Sequence, residues 1–260
     1  MTEEGYVGLH KLVIPNESVK KMSRVQKRQY LMVTNMLRDL NLLQKLLLFT
    51  TNNDKLDEPT QNANTTISFF FLKTLISKNH EMWEFMKKEG LLEANLSGEL
   101  DKLRQQIKDF FAEKKKEDII SFIRNKFGFH YEADPGYRED IEELVEDAMN
   151  SHEMDMWLSN TDSGNEIFGS SNAIMLKVIF EKMRKLGFVG DEKRLMEQLF
   201  DITLKAAKIF HDFYKLYLLE NVLKNIQLQD FGEVQVKTPL LSKVKLPLIV
   251  KNDGQEVIKR

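Results

Sequence analysis

Arg124 and His130 are the two residues whose types and spacing could do chemistry together. Between them stand Asn125, Lys126, Phe127, Gly128 and Phe129. An imidazole titrates near neutrality, so it can take a proton as general base and return it as general acid. A guanidinium presents a planar fork of donors that fits phosphate oxygens and opposes charge developing on them. The pair suits a metal-free attack of a ribose 2′-hydroxyl on the adjacent phosphate. Asn125 could hold that phosphate or orient the imidazole. On an unbroken helix, residues six apart lie about 120° apart around the axis. Gly128 intervenes, so the helix is expected to end or kink there and let His130 fold back toward Arg124. A plainer reading pairs Arg124 with an acidic residue of the next helix and puts Phe127, Phe129 and Tyr131 in the core.

Other constellations are weaker. His10, His80, His152 and His211 each read as structural or exposed. His80 falls late in a helix, near Glu81 and Trp83. Glu139, Glu143 and Asp147 follow at four-residue spacing and could offer oxygen ligands to a divalent ion. The same row is also what the wet side of an amphipathic helix looks like. The sequence has no Gly-x-x-x-x-Gly-Lys loop, Gly-x-Gly-x-x-Gly turn, Gly-x-Ser-x-Gly elbow or His-Glu-x-x-His pair. With no cysteine at all, disulfides, thiolate metal sites and cysteine nucleophiles are excluded.

The run Ile123-Arg124-Asn125-Lys126-Phe127-Gly128-Phe129-His130-Tyr131 resembles the signature of the HEPN superfamily. That signature is an Arg, often followed by a polar residue, then a gap of four to six residues and a His. Here the gap is five and the polar follower is Asn125. The resemblance implies an all-α bundle of four or five helices, with the motif near the end of one core helix. It implies a homodimer that brings two Arg–His pairs into one cleft. It also implies RNA as the partner. Many members are metal-independent endoribonucleases of toxin–antitoxin, phage-defence or RNA-processing systems, so a cognate antitoxin or partner protein is a further implied partner. Other members keep only RNA or nucleotide binding. An acidic or polar residue on an early helix often points at the cleft, and Asp39 and Glu81 are the candidates here. The chain is longer than a minimal domain of this kind.

The elements that must position the motif are legible as helical stripes. Residues 1–16 read as an irregular N-terminal arm. A first helix is predicted over about 17–51, with Val33, Met36, Leu37, Leu40, Leu43 and Leu47 on one face. Residues 52–64, with Pro59 inside, read as a loop. A second helix over 65–89 carries Ile67, Phe71, Leu75, Met82 and Met86, and Gly90 suits its end. A third over 97–127 shows Leu100, Leu103, Ile107, Phe110 and Phe111, crosses a charged run at 113–118, and delivers the motif. A fourth is predicted over 137–157 and a fifth over 172–186, stopped by Gly187. A sixth over 192–226 starts from Asp191 as N-cap. Its Leu195, Leu199, Ile202, Ala206, Ile209, Phe213 and Leu216 alternate at four and three, a seam for internal packing or for a partner helix. The tail alternates at Val234-Gln235-Val236 and Val244-Lys245-Leu246, with prolines between.

Composition agrees with these elements. Five prolines and 12 glycines in 260 residues leave long uninterrupted segments, and 17 phenylalanines provide core material. Net charge is −2, but Lys11–Lys45 holds eight basic against two acidic residues, and Glu132–Glu166 holds twelve acidic against one basic. A basic face of this kind attracts an anionic polymer, or it is simply solvated. No apolar h-region opens the chain and no stretch approaches 18 apolar residues, so a cytoplasmic protein away from membranes is expected.

The sequence therefore predicts an all-α bundle of about six helices with a short irregular or β-like tail. Its expected organisation is an arm at 1–16, a HEPN-like bundle at 17–157, an added helical pair at 172–226 and a tail at 227–260. Arg124, His130 and Asn125 are the expected catalytic residues, with no cofactor or metal. The competing expectation is a non-enzymatic helical module that binds a partner protein.

Overall fold

The computed structural model describes residues 4–50, 57–96, 98–127, 146, 149, 150 and 169–239. Most of the predicted fourth helix, His130 and the chain beyond Pro239 lie outside the described residues.

The fold is an all-α bundle carrying a short β ribbon. In chain order its elements are β1 (Glu4–Val13), α1 (Asn16–Lys21), α2 (Arg24–Thr50), α3 (Glu58–Lys88), α4 (Gly98–Ala112), α5 (Lys114–Phe127), α6 (Gly169–Lys185), α7 (Glu192–Tyr217) and β2 (Gln229–Pro239). A π-helical turn, Leu218–Val222, continues α7.

The predicted first helix is in fact two. Ser23 breaks it: its Oγ accepts from the Gln26 amide at 3.1 Å, and the Gln26 side chain accepts from the Ser23 amide at 3.0 Å. That reciprocal pair is a capping box and restarts the helix at Arg24. The predicted loop at 52–64 is too long. Asp57 accepts from the Thr60 amide at 2.9 Å, and Pro59 sits in the first turn, where no N–H is needed. The predicted third helix also divides, at Glu113. The break lets α4 pack on α7 while α5 packs on α3.

Gly90 and Gly187 end α3 and α6 at φ +67° and +84°. In both turns the amide beyond the glycine reaches back five residues, Leu91 to Met86 and Phe188 to Met183. Left-handed backbone is cheap only for glycine, which explains both stops.

One continuous core joins α2, α3, α4, α5, α6 and α7. The seam of α7 is buried in it, with Leu195, Leu199, Ala206 and Phe213 all 2% exposed or less. Its aromatic centre stacks Trp83 on Phe111 at 4.5 Å and Phe213 on Tyr217 at 5.9 Å. The Tyr214 hydroxyl donates to the Met82 carbonyl at 3.0 Å, satisfying a polar group in an apolar surround.

The N-terminal arm is not irregular. Residues 4–13 form β1, paired antiparallel with β2, with a register shift between His10 and Leu12. Val7 opposes Val236 and Leu9 opposes Val234, so all four share a face. All four are exposed.

Candidate RNA-binding site at the end of α5

α5 is held by Ile119, Ile120 and Ile123, each 1% exposed or less. These three fix the last turn, which carries Arg124, Asn125 and Lys126. Arg124 is half-buried and Asn125 exposed. Arg124 Nη1 donates to Asn125 Oδ1 at 2.9 Å. Among the described residues, no carboxylate pairs with the guanidinium. Phe127 follows and meets Phe122 edge-on at 5.8 Å, with Lys182 of α6 at 5.4 Å from the Phe122 ring.

The structure thus brings Arg124 and Asn125 together. His130 lies outside the described residues, as do Glu139, Glu143, Asp147 and His152. Among the described residues, no group of three or more His, Asp or Glu could hold a metal. Asp39 and Glu81 are engaged with one lysine: Lys78 lies 3.5 Å from Asp39 and 2.9 Å from Glu81.

His80 is the residue that sequence reasoning passed over. It is half-buried on α3, which packs against α5. Burial is the main influence on its imidazole and holds it below the ordinary histidine range. Glu84 and Glu117 oppose that effect, while Arg124 and Lys87 add to it. The acidic members are themselves engaged. Lys87 lies 2.8 Å from Glu84 and 3.5 Å from Glu117, and the Trp83 indole donates to Glu117 at 3.3 Å. Lys87 also stands 4.7 Å over the Trp83 ring. The signal that could have found this cluster is the spacing His80, Glu84, Lys87, one stripe of a helix at four and three.

A basic surface lies on the first two helices. Lys20, Lys21, Arg24, Lys27, Arg28, Arg38 and Lys45 are all exposed along α1 and α2. Arg28 pairs with Glu89 at 2.6 Å, and Lys20 with Glu17 at 2.8 Å. Among the described residues, no helix is long and apolar enough to cross a membrane.

No protein-family model matches the sequence, and no curated protein or solved structure matches it either.

Proposed function

We propose that this protein is a HEPN-like RNA-cleaving or RNA-binding protein that acts as a homodimer in the cytoplasm. The observation that carries the reading is Arg124. It stands in the last turn of a core-anchored helix, bonded to Asn125 and to no carboxylate among the described residues. Among the described residues its remaining donors have no partner, as a phosphate ligand requires, and a histidine follows six positions on. In this reading Arg124 binds the scissile phosphate and Asn125 holds the guanidinium. His130 takes the proton of the 2′-hydroxyl, and a second acid protonates the departing 5′-oxygen. The O2′–P bond forms as the P–O5′ bond breaks, which leaves a 2′,3′-cyclic phosphate and a 5′-hydroxyl. The exposed basic side chains of α1 and α2 add sequence-independent attraction to the backbone. A toxin or phage-defence role, with a cognate antitoxin, is the biological setting this chemistry suits.

The test is cleavage of a mixed-sequence single-stranded RNA in excess EDTA, with wild type beside His130→Ala. Cutting by wild type alone, with cyclic phosphate ends, is the expected result. Cutting that requires a divalent ion would instead point to Glu139, Glu143 and Asp147. If neither protein cuts at concentrations that support dimers, catalysis is refuted for that substrate class.

A second reading, a non-enzymatic interaction module, draws on the ribbon. Val7, Leu9, Val234 and Val236 form an exposed apolar face there, the kind of surface a protein partner covers.

A further inference from the structure

We propose that His80 and Arg124 together form a phosphodiester-binding pair in the seam between α3 and α5. The inference rests on the RNA reading above and adds a residue to it.

The geometry starts from Trp83 and Lys87, which both reach Glu117 across that seam. His80 lies one turn before Trp83 on α3, and Arg124 lies two turns after Glu117 on α5. Further along α5, Phe122 meets Lys182 of α6, and α6 meets α3 at Thr66, before Trp83, so α5 runs antiparallel to α3. At about 1.5 Å per residue, the two Cα positions differ in height by at most about 6 Å. An arginine side chain spans that gap. His80 and Arg124 thus share one seam although 44 positions separate them in the chain.

The carboxylates near the pair are engaged by other groups. Glu84 and Glu117 are the carboxylates that act on His80, and Lys87 and the Trp83 indole engage them. Arg124 spends one donor on Asn125. His80 makes no side-chain hydrogen bond among the described residues. What remains, among the described residues, is a guanidinium fork and an imidazole on facing helices of one seam. The other neighbours of α3 meet it elsewhere: Asp39 of α2 at Lys78, Thr203 of α7 at Asn79, and Asn172 of α6 at Thr66. A phosphate between them attracts the guanidinium and favours protonation of the imidazole. Burial and Arg124, which disfavour the imidazolium in the free protein, are then offset by the ligand charge. Proton uptake by His80 and phosphate binding must consequently favour each other.

The experiment follows the His80 ring by NMR against pH in the full chain, alone and with a 2′-O-methyl RNA oligonucleotide, which cannot be cleaved. Inorganic phosphate is the second probe. The expected result is a rise in the His80 pKa with the oligonucleotide, and a rise in free Arg124→Ala because a neighbouring cation is gone. Affinity for the oligonucleotide is expected to be about tenfold tighter for protonated His80 than for neutral, a dependence that His80→Gln loses. The wild-type titration needs no substitution, so a misfolded variant does not block the test. If the oligonucleotide binds and the His80 titration does not move, the pair is refuted while the RNA reading stands. If Arg124→Ala leaves His80 unchanged, the pair is refuted as well. If wild type neither binds the oligonucleotide nor cuts RNA, the RNA reading fails and this inference fails with it.

Discussion

Arg124 shows how one side chain can carry two readings, and the acidic residues of the next helix that would separate them, Glu143 and Asp147, lie outside the described residues. Among the described residues its guanidinium is bonded to an amide oxygen. The fork geometry matters for the proposed role, so charge alone should not replace it. Arg124→Lys keeps the cation and loses bidentate contact. RNA cleavage by that variant is expected to fall about 100-fold, with thermal stability close to wild type, as read by initial rates beside a melting curve. His80 gives a separate prediction. Its folded pKa is depressed, chiefly by burial, so the unfolded chain binds the proton more tightly. Stability therefore rises with pH through this window. It is full above the unfolded histidine value of about 6.5 and falls as pH drops from there to the folded pKa. His80→Gln is expected to flatten that part of the stability–pH curve, as measured by urea unfolding between pH 5 and 8.

The helices show where local sequence is decisive and where it is not. Ser23 and Gln26 form a capping box that divides α1 from α2. Ser23→Ala is expected to cost about 1 kcal/mol, read as a lower urea midpoint at unchanged slope. The buried stripes of α2, α4 and α7 were legible because three- and four-residue spacing of large apolar side chains has no other compact use. Asp191, Gly90 and Gly187 were legible as caps for local reasons too. The breaks at Ser23 and Glu113 were not, because the apolar period runs on across them and only the change of packing partner reveals the turn. Pro59 misled in the opposite direction: it reads as a breaker, yet Asp57 makes it a helix start. The strand character of residues 4–13 was hidden for a different reason, since its partner lies more than two hundred residues away. In the candidate site, Arg124 and Asn125 were found through their place in a motif. His80 was missed because its relation to Arg124 exists only across the α3–α5 seam.

At the scale of the molecule, α7 is the axis on which the bundle depends. It touches α2, α3, α4 and α6, and its Phe210, Phe213 and Tyr214 have no exposed surface. Phe213→Ala is expected to cost about 3–5 kcal/mol, measured by chemical denaturation, because a ring-sized void cannot collapse in a helix packed on several sides. The helical seam that could have served a partner helix is thus spent on the protein's own core. Any second copy must meet other surfaces, among which the apolar ribbon face and the basic side of α1 and α2 stand out.

The ribbon also sets a timetable. β1 leaves the ribosome more than two hundred residues ahead of β2. At about 5–20 residues per second, β1 waits roughly ten to forty seconds for its mate. Throughout that interval Val7 and Leu9 belong to a strand with no partner, and the helices between must collapse first. Closing so large a loop is the slowest kind of contact for a chain to make. Until β2 emerges, the nascent chain therefore carries an unpaired strand edge, the kind of surface that invites non-native pairing.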